Sequence, residues 1–454
     1  MLDRIHDFRR RLQEAVAERR VESTYGLGLF CDSIPIVYDV NYLRADRPAS
    51  AEELAEESDR LMDRFWHRRV ITRASGRSIA GDFTRLGWTQ STHLIMAHQR
   101  SPDRPTDTSG IREVSLPELE DAHTRVTLAE PYGDVELAAQ LLEAKRRVAA
   151  AVPTRFFAAF VDDALAAYCE LRSDGTTSQI EDVNTLAAHR GRGLGRAVVA
   201  TALEQGVSGS ETVFIEALAD DWPKDLYRRL GFDVVAERHL FLRPPPPLSR
   251  LRVRTPRLEL RLATPAELRE LAELAREGIH DPERMPFEVP WTDAAGTPGF
   301  VEESVEHHLG HLRAWQPSEW TLSFVAFRDG RPIGVQALRT KDFARTREVD
   351  TGSWLGRAHQ GEGLGTEMRA GVLTFAFELL GATRAVSGAI DGNQQSLAVS
   401  RRLGYEVTGT STVAPRGAEV ARTDLLLTRD RFTSPVRVEV DGFEGLQPLF
   451  GIAG

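Results

Sequence analysis

Arg190-Gly191-Arg192-Gly193-Leu194-Gly195 is the stretch on which the reading of this chain turns. A strand-like apolar run, Val183 to Leu186, leads into it, and apolar residues at helical spacing leave it: Leu194, Ala197, Val198, Thr201, Ala202. A glycine-rich turn that opens a helix presents backbone N–H groups, unobstructed by Cβ atoms, at the positive end of the helix dipole. Such a turn suits phosphate. The pattern recurs at Gln360-Gly361-Glu362-Gly363-Leu364-Gly365, after Ser353 to Leu355 and ahead of Leu364, Met368, Val372, Phe375 and Ala376. For either loop alone, a plain strand–helix connection is the competing reading. Repetition in one setting favours an anion-binding device.

A dinucleotide fold is a second competitor. Glu216 stands in a strand about 20 residues past the first loop, where such folds put a ribose-binding acid. Neither loop has the spacing G-x-G-x-x-G, however, and the strand after the second loop (Arg384 to Ile390) offers Asp391 only beyond its end. The shared pattern, R/Q-x-x-G-x-G after a strand, instead resembles the acyl-CoA pyrophosphate signature of the GNAT superfamily of N-acetyltransferases. Downstream of each loop comes a strand, then a short helix ending in a near-repeated phrase, Arg229-Leu230-Gly231-Phe232 and Arg402-Leu403-Gly404-Tyr405. The second domain is more particularly similar to the ribosomal-protein N-terminal acetyltransferase branch, on Thr255-Pro256-Arg257-Leu258-Glu259-Leu260-Arg261, Trp354-Leu355 and Gly365-Thr366-Glu367-Met368.

That resemblance implies residue roles. The cofactor contacts would be Arg190, Gly191, Arg192, Gly193, Leu194, Gly195 and Arg196 in the first loop, with Val183 and Thr185 of the strand before it. In the second they would be Gln360, Gly361, Gly363, Leu364, Gly365 and Thr366, with Trp354 and Leu355. Asn393, ahead of Ser396, resembles the family's pantetheine-binding Asn, whereas the first domain has Asp220-Asp221 in that region. The residue three before the Leu of each phrase, Tyr227 or Ser400, falls where the family protonates the CoA thiolate. Glu181 matches the family's base, with Glu170 in reserve. Nine positions before Gln360, as Glu181 stands nine before Arg190, is Thr351, so the base does not carry over; Asp350 and Glu348 are the candidates there. Chemically, a carboxylate can take the proton of the attacking ammonium and a hydroxyl can protonate the departing thiolate. For the carboxylates, an exposed strand end is the competing reading; for Tyr227, a core tyrosine.

The phrase occurs a third time, at Arg85-Leu86-Gly87-Trp88, before a strand-like Ser91 to Met96. Reading back gives a strand (Arg69 to Thr72), an amphipathic helix (Ala51 to Trp66) and another strand-like run (Ile34 to Val40). This is the order of the back half of a GNAT module, but its loop position, Arg44 to Ser50, has no glycine and Phe83 replaces the hydroxyl. The expectation is a degenerate half-module that neither binds CoA nor does chemistry. An unrelated α/β extension is the alternative.

Composition fits this organisation. A 454-residue chain suggests about three domain-sized units. A net charge of −10 argues against nucleic acid as a partner, although Arg190, Arg192 and Arg196 make a positive island. No apolar run approaches the roughly 18 residues of a membrane span. The N-terminus lacks a signal-peptide core, and with only Cys31 and Cys169 the expected compartment is the cytoplasm. His307, His308 and His311 read as a solvated helix face rather than a zinc site, so no metal is expected.

The expected fold class is therefore α/β (α+β): tandem GNAT folds with mixed, mostly antiparallel sheets flanked by helices. Residues 1–100 would form the half-module, 111–243 and 251–430 the GNAT domains and 431–454 a C-terminal tail, with linkers at Arg100 to Gly110 and Pro244 to Pro247. The expected function is acyl-CoA-dependent N-acyl transfer, with acetyl-CoA or another acyl-CoA as co-substrate, to a small-molecule or peptide amine. Acidic and aromatic residues in the loops Glu130-Pro131-Tyr132-Gly133-Asp134 and 284–291 suggest a cationic acceptor. An acyl-CoA sensor or scaffold, with one or both domains silent, is the alternative; a homo-oligomer is compatible with either.

Overall fold

The computed structural model describes residues 1–73, 76–131 and 133–452. Tyr132, named above as an acceptor-loop residue, lies outside the described residues. The chain divides into two compact units, Met1–Pro244 and Pro245–Gly454.

In the first unit the order is α1 (Leu2–Val16), β1 (Arg19–Glu22), β2 (Gly26–Phe30), β3 (Tyr42–Ala45), α2 (Ala51–Leu61), β4 (Arg68–Thr72), α3 (Gly76–Arg85) and β5 (Thr89–His98). There follow β6 (Ile111–Val114), α4 (Leu116–Leu128), α5 (Val135–Ala151), β7 (Thr154–Val161), β8 (Ala164–Ser173), β9 (Thr177–Thr185), α6 (Leu194–Gly209), β10 (Thr212–Leu218), α7 (Pro223–Arg229) and β11 (Phe232–Arg243). All eleven strands form one sheet, ordered β1-β2-β3-β4-β11-β5-β10-β9-β8-β7-β6. Among the described residues of this unit, only β3–β4 and β9–β10 pair in parallel.

The strands after the two Leu-Gly phrases have changed places. β5, from the first hundred residues, lies between β10 and β11; β11 lies between β5 and β4. Each completes the sheet of the other half, so ten strands repeat about the β5–β11 pair, with β6 added at one edge. Phe83 is fully buried and stacks on Phe241 of β11 with ring centroids 4.0 Å apart. It is an apolar anchor for the exchanged strand.

One expected strand is absent. Ile34 to Val40 forms turns and a 3₁₀ segment, and the strand begins at Tyr42 instead. Asn41 causes this: its Oδ1 accepts from Cys31 N at 2.8 Å, and its Nδ2 donates to Ile34 O and Val37 O at 3.0 and 2.9 Å. A buried amide that binds three backbone groups outcompetes a ladder.

The second unit runs β12 (Arg252–Arg254), β13 (Glu259–Arg261), α8 (Pro265–Arg276), α9 (Phe300–Arg313), β14 (Glu319–Arg328), β15 (Arg331–Lys341), α10 (Phe343–Thr346), β16 (Glu348–Leu355), α11 (Leu364–Thr374), β17 (Arg384–Ile390), α12 (Gln394–Arg402), β18 (Glu406–Val413), β19 (Val420–Thr428) and β20 (Glu439–Asp441). Its nine-stranded sheet is ordered β18-β19-β17-β16-β15-β14-β13-β12-β20. Here β18 and β19 form a hairpin, and β19 fills the place that β5 fills in the first unit. Residues beyond 431 join the fold: β20 pairs with β12, and Phe443 and Phe450 are buried beside Phe375.

Both units are thus mixed, mostly antiparallel sheets flanked by helices, the fold class read from the sequence. No helix among the described residues is long and apolar enough to cross a membrane.

Candidate active sites

The starts of the two loop-borne helices differ from those of α2, α5, α8 and α12. The side chains of Ser50, Asp134, Thr264 and Asn393 cap α2, α5, α8 and α12 by accepting from backbone N–H groups. At α6 and α11 the N-cap is Gly193 or Gly363, and no side chain caps either helix. Both glycines have φ 81°, and Gly191 and Gly361 have φ 78° and 81°, a region that disfavours any Cβ. No atom lies within 4 Å of a Cβ built on Gly191, Gly193 or Gly361. The first amides of these two helices are therefore left for an outside acceptor. At α2, within the first hundred residues, Ser50 and Glu53 instead make a capping box, Ser50 Oγ accepting from Glu53 N and Glu53 Oε2 from Ser50 N.

The first residue of each loop pins it. Arg190 Nε donates to Thr185 O at 3.2 Å, and Gln360 Nε2 donates to Leu355 O at 2.8 Å, each reaching back to the end of its strand. Gln360 also donates to Ile279 O at 2.8 Å, so its amide belongs to the loop and not to a ligand. Arg192 is exposed, but Arg196 is buried and donates to Asp103 Oδ1 at 2.6 Å, Thr106 Oγ1 at 2.8 Å and Arg104 O at 3.0 Å. Arg196 anchors the 100–110 linker, and the positive island shrinks to Arg190 and Arg192. Beside the second loop the sequence reading missed Arg257, whose Nη1 donates to Glu362 O at 3.1 Å. Leu364 is fully buried core, while Leu194 and Gly195 are half-buried and Thr366 lines the second unit's cavity.

Next to each loop, two parallel strands part. β9 and β10 pair through Ile180 and Ile215, and the pairing ends there; β16 and β17 pair as far as Asp350 and Val386. Glu181 is the first residue past the parting in the first unit, Thr351 in the second. β9 also carries a bulge opposite Tyr168–Glu170, with Asp182 at φ 51°. Lys145 inserts between Glu170 and Asp182, and Arg172 Nη2 binds Glu170 Oε2 at 2.8 Å. Glu170, completely buried in that cluster, is structural and is withdrawn as a reserve base.

Glu181 accepts from Gln179 Nε2 at 2.6 Å. Burial, opposed by Arg172 and reinforced by Glu216, raises its carboxyl pKa to about 7. Glu216 itself is held by Arg9 and Arg238, both at 2.7 Å, so the acid a dinucleotide fold would turn to a ribose is already paired. Tyr227 on α7 is 5% exposed, and burial followed by the Glu181 charge pushes its phenol pKa up. The phenol keeps its proton at neutral pH, as a proton donor must. Val183 and Thr185 continue the parted strand, both half-buried.

In the second unit a cavity of about 1830 Å³ follows the parted strands. It is lined by Asp350, Ser353, Trp354 and Leu355, by the loop residues Gln360, Gly361, Gly363, Gly365 and Thr366, and by Asn393 and Ser396. Asp350 binds Arg339 at 2.8 Å. Asn393 Oδ1 accepts from Ser396 N at 3.1 Å, as the cap of α12. Ser400 does not line the cavity: it is fully buried, and its hydroxyl donates to Ser396 O at 3.0 Å. Thr351 does line the cavity, but it is buried and hydrogen-bonded to the Tyr405 hydroxyl at 3.1 Å. Trp291 and Trp354 (5.7 Å) with Phe287 build an aromatic wall. His308 and His311 correct the solvated-face reading. Both line the cavity half-buried, and burial lowers their pKa values to about 3 and about 4. Among the described residues no group of three or more His, Cys, Asp or Glu could hold a metal ion.

Residues 117–232 match the family model described as "Acetyltransferase (GNAT) family", and residues 257–406 match "Acetyltransferase (GNAT) domain". This chain belongs to the GNAT acetyltransferases. Both glycine loops of this GNAT protein fall inside the matched stretches. A curated relative, "Putative ribosomal N-acetyltransferase YdaF" of Bacillus subtilis (strain 168), is 26% identical over 148 residues, 33% of this chain and 77% of that protein. Among solved structures, a conserved protein of unknown function from Staphylococcus epidermidis is 15% identical, covering 50% of this chain and 93% of its own, with a TM-score of 0.41. Mycobacterium smegmatis RimJ, in complex with CoA-disulfide, is 16% identical, covering 41% and 90%, with a TM-score of 0.34.

Proposed function

We propose that this tandem GNAT acetyltransferase binds acetyl-CoA at both glycine loops, in domains spanning about 111–243 and 251–430, and transfers acetyl directly to a primary amine in a ternary complex. The observation that supports this most is the pair of uncapped helix starts behind left-handed glycines, each beside parting parallel strands. No residue needs to carry the acetyl group covalently: Cys31 and Cys169 are both buried, and burial raises the Cys169 thiol pKa.

In the first domain Glu181 removes the proton from the attacking amine, and its raised pKa suits that task at neutral pH. Amides of the bulged β9 hold the developing oxyanion. Tyr227 returns a proton to the sulfur. In the second domain Asp350 takes the place of Glu181. The acceptor is a protein or peptide amine, in keeping with the ribosomal acetyltransferase named among the relatives. The Arg339–Asp350 pair favours a second reading for that domain, an acyl-CoA-binding module without turnover.

Calorimetric titration with acetyl-CoA tests the core of this proposal. Two sites are expected in the wild type, one fewer in Arg192→Glu, and one fewer in Gly363→Glu. A wild type that binds no acetyl-CoA sinks it. Thiol release against an amine panel, with Glu181→Gln as control, then separates transferase from sensor.

A further inference from the structure

In the second unit, Arg369 of α11 is 3% exposed and still reaches the cavity wall. Nη1 donates to Ser400 Oγ at 2.9 Å and Nη2 to Ser353 Oγ at 3.0 Å, while Nε, also buried, has no hydrogen-bond partner among the described residues. Among the described residues no carboxylate pairs with this guanidinium. The neighbouring acids are committed elsewhere: Asp350 to Arg339, and Glu367 to Thr255 and Arg257. Tyr405 is the remaining titratable group beside it, with its phenol pKa raised by burial and its hydroxyl held by Thr351. A buried cation with only neutral partners is costly to keep. Such a charge is suited to meet negative charge that appears only during reaction.

We propose that Arg369 stabilises the CoA thiolate as it leaves in the second domain, with Ser353 and Ser400 as the supports that aim it. The inference rests on the acetyltransferase reading. In the step concerned, the amine nitrogen forms the C–N bond and gives its proton to Asp350 or water. The C–S bond breaks with its electron pair passing to sulfur. The guanidinium holds the thiolate, which solvent protonates on release. Ser400 then serves as a holder of Arg369, consistent with its burial and its bond to Ser396 O.

Free CoA is the probe, since its thiol titrates without an acceptor. Thiolate absorbance of CoA bound to the full-length protein is followed against pH. The first domain contributes equally in every variant and cancels in the difference. In the wild type the second-domain thiol should ionise at least one pH unit below the model-thiol value of about 8.5. Arg369→Met should abolish that shift, Arg369→Lys should keep most of it, and Ser400→Ala should move it less than Arg369→Met. An unchanged titration in Arg369→Met, or a larger effect from Ser400→Ala, overturns the proposal. Should the methionine variant fail to fold, Arg369→Gln is read in the same way, and a lysine variant with no retained shift is refuting. If CoA does not bind at all, the acetyltransferase reading has failed; if it binds with an unshifted thiol, only this inference has.

Discussion

Deleting residues 1–110 should abolish folding of the first GNAT domain, although the family match there begins only at residue 117. The reason is β5. It is paired along its length with β11 and along its second half with β10, so its removal leaves two strand edges and a slot in mid-sheet. Leu94, Ile95 and Met96 are 7%, 0% and 0% exposed; Leu94 and Met96 belong to one core cluster and Ile95 to another, with Phe8 and Phe214. At about 1.5–3 kcal/mol per buried apolar side chain, those three alone stabilise by roughly 5–9 kcal/mol. That is comparable to the whole stability of an ordinary domain, about 5–15 kcal/mol. Phe8 of α1, packed on Phe214 at 5.9 Å, is lost as well. A fragment of 111–244 should therefore show no cooperative thermal transition and poorly dispersed amide resonances, and co-expression with 1–110 should restore both. A monomeric, cooperatively folding 111–244 fragment would refute the strand exchange.

Three further outcomes are expected. The Glu181 limb of first-domain turnover should rise about tenfold from pH 6 to pH 8, because the proposed base, with a pKa of about 7, can accept a proton only when ionised. Glu181→Gln should lower the rate by about 10²–10⁴ and remove that limb, leaving only the ionisation of the amine itself; an unchanged profile would exclude Glu181 as base. Gly193→Ala places a Cβ at φ 81° and should cost about 1–2 kcal/mol while weakening acetyl-CoA binding in calorimetry. Arg196→Ala removes the three bonds to residues 103–106, so limited proteolysis should cut the 100–110 linker faster, with little change in cofactor affinity.

Much of the fold was legible because its signals are local. The glycine loops announce themselves by residue type and by the switch from strand to helix periodicity around them. The Leu-Gly phrases mark the same helix end three times. Glu181 was counted from the loop, nine residues ahead of Arg190, but the bulge of β9 that lies between them has no signal in that count. The lone false strand, Ile34 to Val40, failed for a local reason too, since Asn41 binds three backbone groups around it. Nothing in the residue pattern of 34–40 announces that competition.

By itself the chain's order of residues determined the two loops, their helices and the acids and hydroxyls near them, since each depends on contacts within a few turns of backbone. Tertiary structure alone decided which groups remain available. β5 and β11 trade places through pairing between strands far apart in the chain. Arg196 turns to a linker, Gln360 to its own strand and Ser400 to its own helix, whereas Arg369 is buried with no carboxylate paired to it among the described residues. A side chain's partners follow from how distant segments pack, and only packing can desolvate a charge or use up a hydroxyl.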